Sequence, residues 1–125
     1  MSTILLTTVR GKVTTMKTIY MAEDDVDTRE LYTIALEGKY TLRSFAHAEG
    51  ALGAFDHRHP DLLLTDHNMG KGLTGHDLIA HVRERGYGGH VLMVSGSIPI
   101  GATYRTLDKP VTMEELRSTI DSFFQ

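Results

Sequence analysis

The chain has 125 residues, of which 41% are hydrophobic and 23% are charged, a balance typical of one globular domain rather than a disordered or repetitive chain. It contains no cysteine, which excludes disulfides and thiolate metal sites. The 13 basic and 16 acidic residues give a formal net charge of −3, so neither nucleic acid nor membrane is expected as a partner. The longest apolar run near the start, residues 4–6, is too short for a signal sequence or membrane span.

Residues 1–15 are rich in threonine and stand apart from the rest of the chain. They are either a loose leader preceding Met16, or an extra hairpin that turns at Arg10-Gly11-Lys12. We favour the leader, because chain ends that are not tied to a sheet are usually loose. The expected division is therefore a leader at 1–15 without fixed structure and one domain at 16–125.

From Lys17 onward, apolar strand-like segments alternate with amphipathic helix-like segments. Strands are predicted over residues 18–22, 40–46, 61–66, 90–95 and 104–108. Helices are predicted over residues 27–37, 48–55, 75–84 and from a capping box at Thr112-Met113-Glu114-Glu115 onward. The apolar residues expected to face inward from the helices are Leu31, Ile34, Ala35, Leu78, Ile79, Val82, Leu116, Ile120 and Phe124. This alternation is typical of a doubly wound α/β fold with a parallel sheet.

Chemically active side chains follow four of the predicted strands. The strands end in Glu23-Asp24-Asp25, in Asp66, in Ser95-Gly96 and in Asp108-Lys109-Pro110. Ligands of open α/β sheets bind beyond the carboxyl ends of the strands, so these side chains are expected to share one crevice. Clustered carboxylates repel each other, and Mg²⁺ removes that repulsion. A lysine and a hydroxyl beside the metal would suit a phosphoryl group.

Four motifs stand at the ends of the predicted strands: Glu23-Asp24-Asp25 with Arg29, Leu64-Thr65-Asp66-His67-Asn68-Met69, Val94-Ser95-Gly96 and Lys109-Pro110. Together they resemble the receiver domain of two-component response regulators. The resemblance covers residues 17–125. It implies a flavodoxin-like, five-stranded parallel sheet in the order 2-1-3-4-5. Because the receiver would use up the 125 residues, we expect it to be a stand-alone receiver in the cytoplasm. The resemblance implies that a sensor histidine kinase or a histidine phosphotransfer protein phosphorylates it, and that it signals to a downstream protein or acts as a phosphoryl shuttle or sink. Such a protein acts on its own phosphoryl group and is not an enzyme on external substrates.

The resemblance also implies the roles of individual residues. Asp66 would be the nucleophile that accepts the phosphoryl group. Asp24, Asp66 and the backbone carbonyl of Asn68 would bind Mg²⁺ directly, and Glu23 would reach it through water. Lys109 would pair with the phosphoryl oxygens.

Further positions in the family govern the response to phosphorylation and the loss of the phosphoryl group. The hydroxyl of Ser95 would turn toward the phosphoryl group, and Asn68 and Ser97 are candidates for setting how fast that group is lost to water. An aromatic switch residue is common at the position of Thr106. Tyr104, on the same face of the strand, could replace it in part.

Two segments depart from the family pattern. Gly70 follows Met69 where proline is usual, and the loop to Gly75 is one residue longer, which favours either a mobile loop beside Asp66 or simple drift in loop length. Residues 96–102 are too few for a normal crossover, so the helix before the last strand is expected to be missing or reduced.

Other functions fit the sequence less well. A receiver-like interaction module that is never phosphorylated is the main alternative, although the full set of site residues argues against it. A Mg²⁺-dependent phosphohydrolase would need an acid at the position of Asn68. The seven histidines do not form a helical zinc pair, and only His67, beside Asp66, is a candidate for modulating the site. Phe123 would be a docking aromatic only if exposed.

Overall fold

The computed structural model describes residues 6–9 and 12–125. Strands β1 (Leu6–Val9) and β2 (Lys12–Thr15) pair antiparallel as a two-stranded sheet. These two strands correspond to the second alternative for residues 1–15, which is an extra hairpin rather than a loose leader. Two residues of the expected turn, Arg10 and Gly11, lie outside the described residues. The division of the chain at residue 16 stays a prediction.

The main sheet contains five parallel strands, and its topology is the predicted one. Its strands are β3 (Thr18–Ala22), β4 (Thr41–Phe45), β5 (Leu62–Thr65), β6 (His90–Ser95) and β7 (Arg105–Asp108). They lie in the order β4-β3-β5-β6-β7, which is 2-1-3-4-5 when the strands of this sheet are counted in chain order. The helices are α1 (Val26–Leu36), α2 (Ala48–Phe55), α3 (Gly75–Glu84) and α4 (Met113–Ser122).

The helices cover both faces of this sheet. Because side chains alternate along a strand, Leu63 of β5 packs in the cluster of α2 and α3, whereas Leu62 and Leu64 pack in the cluster of α1 and α4. All three leucines are buried, as expected of a central parallel strand. Of the helices in the described part of the chain, none is long and apolar enough to cross a membrane.

The predicted inward face of α1 is wrong in part. Ala35 is buried as expected, but Leu31 and Ile34 are 42% and 58% exposed. The helix instead buries Tyr32, Ala35 and Leu36, which share one face at helical spacing. Apolar residues on two overlapping faces make the helix phase ambiguous, and the face carrying the large tyrosine ring is the one packed on the sheet.

The predicted inward residues of α3 and α4 are buried, with one exception. Phe124 lies beyond the end of α4 and is only partly buried, beside the rings of Tyr40 and His90. Thr112 caps α4 by accepting the N–H of Glu115. A complete capping box is formed at α3, between Thr74 and Asp77.

The connection between β6 and β7 contains no helix, as the short segment predicted. Ile98 and Tyr104 pack against the cluster on this side of the sheet instead, and that cluster includes Met93 of β6. Two partly buried side chains thus lie where a crossover helix covers the strands in a regular doubly wound sheet.

Candidate functional site

The residues predicted to bind the phosphoryl group and the metal lie at the carboxyl edge of the main sheet. The predicted switch residues lie elsewhere: Thr106 is the second residue of β7, and Tyr104 directly precedes that strand. The backbone hydrogen bonds between adjacent strands continue one residue beyond the strand ends. Asp66 N–H donates to Ala22 O at 3.0 Å, and Lys109 N–H donates to Ser95 O at 3.0 Å. The backbone of Asp66 and that of Lys109 are therefore fixed by the same ladder that builds the sheet. The Lys109–Pro110 peptide bond is cis.

Three carboxylates meet at this edge. Oxygens of Glu23, Asp24 and Asp66 lie within 4.8 Å of one another. Glu23 and Asp66 are buried, at 2% and 8% exposure, whereas Asp24 is exposed. Burial, together with the charge of Asp66, raises the pKa of Glu23 to about 7. Such a set of oxygen ligands fits a hard divalent cation, which would remove the repulsion.

Lys109 supplies positive charge to the same cluster. Its Nζ donates to Asp66 Oδ2 at 3.0 Å and to Glu23 Oε2 at 3.3 Å. Burial opposes the charge on the ammonium, but the hydrogen bond to Asp66 and the charges of both carboxylates outweigh it and raise the pKa of Lys109. The lysine is therefore a fixed cation beside Asp66.

The start of α1 positions the acidic residues. Asp25 is the N-cap of α1, where its carboxylate accepts the N–H and hydroxyl of Thr28, and these hydrogen bonds lower its pKa. Arg29 Nη1 donates to the backbone carbonyl of Glu23 at 2.7 Å. Asp25 and Arg29 thus hold the acidic turn in place, a role that the sequence alone did not reveal.

Ser95 lies at the end of β6 and is 1% exposed. Its Oγ accepts the N–H of Ser97 at 3.1 Å. Asn68 is exposed two residues beyond Asp66, and Thr106 is partly buried on β7. Tyr104 is also partly buried, and its hydroxyl lies 2.6 Å from His76 Nδ1 of α3.

Gly75 is a functional position that could not be recognised from the sequence. A Cβ at this residue would lie 1.8 Å from the carbonyl oxygen of Asp66, and its own N–H donates to His67 O at 2.8 Å. Only glycine allows α3 to begin so close to the backbone of Asp66. The capping residues Thr74 and Asp77 on either side were the available signal for this helix start.

A side chain of α2 also contacts the loop between Asp66 and α3. Gly70 and Gly72 have φ angles of 78° and 101°, which explains why both are glycines. The Glu49 carboxylate accepts the N–H of Leu73 at 3.2 Å and lies where a Cβ of Gly72 would be. The role of Glu49 was also not predicted, because it lies 24 residues before its partner.

His67 donates its backbone N–H to Asp66 Oδ1 at 2.7 Å. Its ring Nδ1 is buried, and it is the one buried side-chain nitrogen or oxygen without a hydrogen-bond partner among residues 15–125. The ring packs edge-on against that of His76, with centroids 6.4 Å apart. His67 therefore faces α3.

Residues 19–121 match the model of the response regulator receiver domain. Solved structures with the same fold include chemotaxis protein CheY4 of Vibrio cholerae (22% identity, TM-score 0.77, 86% of this chain and 98% of that one). A CheY-like receiver domain protein from Methanospirillum hungatei is similar, with 22% identity and a TM-score of 0.77 over 86% of this chain and 92% of that one. The receiver domain of hybrid histidine kinase CckA has 24% identity and a TM-score of 0.74 over 86% of this chain and 99% of that one. No curated protein matches the chain in sequence. Because the family model spans most of its length, the chain belongs to the response regulator receiver domains of two-component signalling.

Proposed function

We propose that this receiver accepts a phosphoryl group on Asp66 from the phosphohistidine of a sensor histidine kinase or histidine phosphotransfer protein. The observation that carries the proposal is the position of Asp66, whose Oδ2 lies 3.0 Å from Lys109 Nζ inside a cluster of three carboxylates. A carboxylate held beside both a cation and a candidate metal site is suited to receive an anionic group.

The transfer is a displacement at phosphorus. A carboxylate oxygen of Asp66 forms the new P–O bond as the P–N bond to the donor imidazole breaks. The departing imidazole keeps the bonding electron pair and is neutral because it carries a proton taken up from water on its other nitrogen. The product is an acyl phosphate on Asp66 and a free histidine on the donor. Lys109 then pairs with the phosphoryl oxygens, and the Ser95 hydroxyl donates to one of them.

The carboxylates fit Mg²⁺ as the resident cation. Asp24, Asp66 and the backbone carbonyl of Asn68 would bind it directly, and Glu23 would bind it through water. When bound, the ion neutralises the acidic cluster and the phosphoryl charge. Glu23 must be ionised for this role, and its pKa of about 7 means that it is only partly ionised at neutral pH without a cation.

The surface of α1 beside the site supports docking of the donor protein. Val26, Leu31 and Ile34 are exposed on this helix. A cavity of about 440 Å³ lined by Leu31 and Tyr32 of α1 extends to Lys109. Exposed apolar side chains continuous with a charged site are suited to bind a partner that carries the phosphohistidine.

After phosphorylation, the receiver would act as a shuttle, a sink or a protein-binding switch in the cytoplasm, where the donors are made. Asn68 occupies the position at which a phosphohydrolase needs an acid, so turnover of external phosphate esters is not expected. Asn68 and Ser97 would instead influence how fast water removes the phosphoryl group from Asp66.

The test is the intact mass of the protein after incubation with Mg²⁺ and acetyl phosphate. The parent should gain one phosphoryl group, and chelation of the metal should prevent this gain. Asp66→Asn should gain none, whereas Asp56→Asn, a control at an exposed acid that directly follows α2, should gain one. A parent that binds Mg²⁺ yet gains nothing, from acetyl phosphate or from a phosphorylated kinase, would instead support an interaction module.

A further inference from the structure

The segment between β6 and β7, residues 96–104, joins two parallel strands without a helix. Its middle is apolar: Ile98 packs against the core, whereas Ile100 is fully exposed. A short connection of this kind has few buried contacts of its own, so its conformation depends on how its two ends are held.

One end is tied to the site. Ser97 N–H donates to the Oγ of Ser95 at 3.1 Å, and Ser95 is almost fully buried at the carboxyl edge of the sheet. To donate its proton to a phosphoryl group on Asp66, the Ser95 side chain would turn about its Cα–Cβ bond. That turn would carry Oγ, the acceptor, away from Ser97 N–H and break the bond between them.

The other end is tied to α3. The Tyr104 hydroxyl lies 2.6 Å from His76 Nδ1. Arg83 reinforces this tie, because its Nη1 donates to Thr103 Oγ1 at 3.0 Å and its guanidinium lies over the Tyr104 ring, 5.7 Å from the centroid. His76 follows Gly75, which is fixed by the close approach to Asp66. The anchor therefore belongs to the first turn of α3, which lies against the backbone of Asp66.

We propose that His76 is a positioning residue that, through Tyr104, fixes the Thr103 end of this segment, so that a phosphoryl group on Asp66 moves only residues 97–100. The inference rests on the proposed function. It assigns the changing surface to the half of the segment that carries Ile98 and Ile100, and it makes Tyr104 a fixed anchor rather than a side chain that swings inward.

The anchor can be tested without any phosphoryl group, by amide hydrogen exchange at residues 105–108 of β7, which directly follow Tyr104 and pair with β6. Loss of one hydrogen bond should raise the exchange rate about five-fold in Tyr104→Phe and His76→Ala. His76→Asn, which keeps a polar atom near the position of Nδ1, should restore slow exchange. Tyr87→Phe is the matched control, because Tyr87 donates its hydroxyl to His90 O, away from the segment. Unchanged exchange in Tyr104→Phe would overturn the proposal.

The movement is tested by methyl NMR of Ile100 and Ala102 before and after incubation with acetyl phosphate and Mg²⁺. In the parent, the Ile100 signal should shift while the Ala102 signal stays in place. In Tyr104→Phe, both signals should shift. Equal shifts of the two methyl groups in the parent would overturn the proposal. The mass of each sample reports separately whether Asp66 was phosphorylated, so a failure of the proposed function is recognised as such, and the exchange data still decide on the anchor.

Discussion

Gly75→Ala is expected to damage stability and phosphoryl transfer together. The added Cβ would lie 1.8 Å from Asp66 O and 3.0 Å from Thr65 Oγ1. Nonbonded heavy atoms pack at roughly 3.5 Å, so α3 or the end of β5 must move by more than about 1 Å. Overpacking of a buried site costs about 1–3 kcal/mol, and we expect the upper end because the contact is with backbone. A displacement of about 1 Å at a reacting group can slow a reaction about 100-fold.

Two assays check this expectation. Urea unfolding measures the free energy of unfolding, and intact mass measures the rate of phosphoryl uptake from acetyl phosphate. Gly53→Ala is the control, because a Cβ at that position of α2 meets nothing within 4 Å. It should leave uptake unchanged and stabilise the protein by up to about 1 kcal/mol through helix propensity. Parent-like stability and uptake in Gly75→Ala would refute the argument from close approach.

Three further predictions concern the charge of Lys109, the pKa of Glu23 and the hydrogen bond of Tyr40. Lys109→Met should slow phosphoryl uptake about 100-fold, measured by intact mass, because it removes the ammonium beside Asp66. Mg²⁺ affinity measured by calorimetry should weaken as pH falls through about 7, because protonated Glu23 cannot assist the cation, and Glu23→Gln should flatten this dependence between pH 6 and pH 8; an equally steep profile in the variant would assign the titration to another group. Tyr40→Phe, which loses the hydrogen bond to Asp121, should lower stability in urea by about 1 kcal/mol and leave phosphoryl uptake at the parent rate; slowed uptake would contradict the separation of this contact from the site.

Most of the fold, and the meeting of three acidic side chains at one edge of the sheet, could be predicted from sequence. Parallel strands bring their carboxyl ends to one edge, so acids that directly follow apolar runs must meet there. This geometry links Glu23, Asp24 and Asp66 without knowledge of any side-chain contact. The absence of a helix before β7 followed from the length of the segment that joins β6 to β7, because it has too few residues for a crossover helix.

Features that depend on packing between distant residues could not be predicted. The face of α1 was ambiguous because Leu31 and Ile34 are apolar yet exposed, while Tyr32 is the buried residue. The bond between His76 and Tyr104 joins residues 28 positions apart, and no sequence period reports such a pair. The close approach of Gly75 to Asp66 likewise depends on the placement of a whole helix against a strand end.

The central claim is that Asp66 carries the phosphoryl group. The most direct measurement treats the phosphorylated protein with borohydride, which reduces an acyl phosphate to the alcohol, and locates the altered residue by tandem mass spectrometry of its peptides. The account predicts homoserine at position 66 alone, and none after prior chelation of Mg²⁺. Homoserine at position 24, or the corresponding alcohol at any other acid with position 66 unaltered, would contradict it.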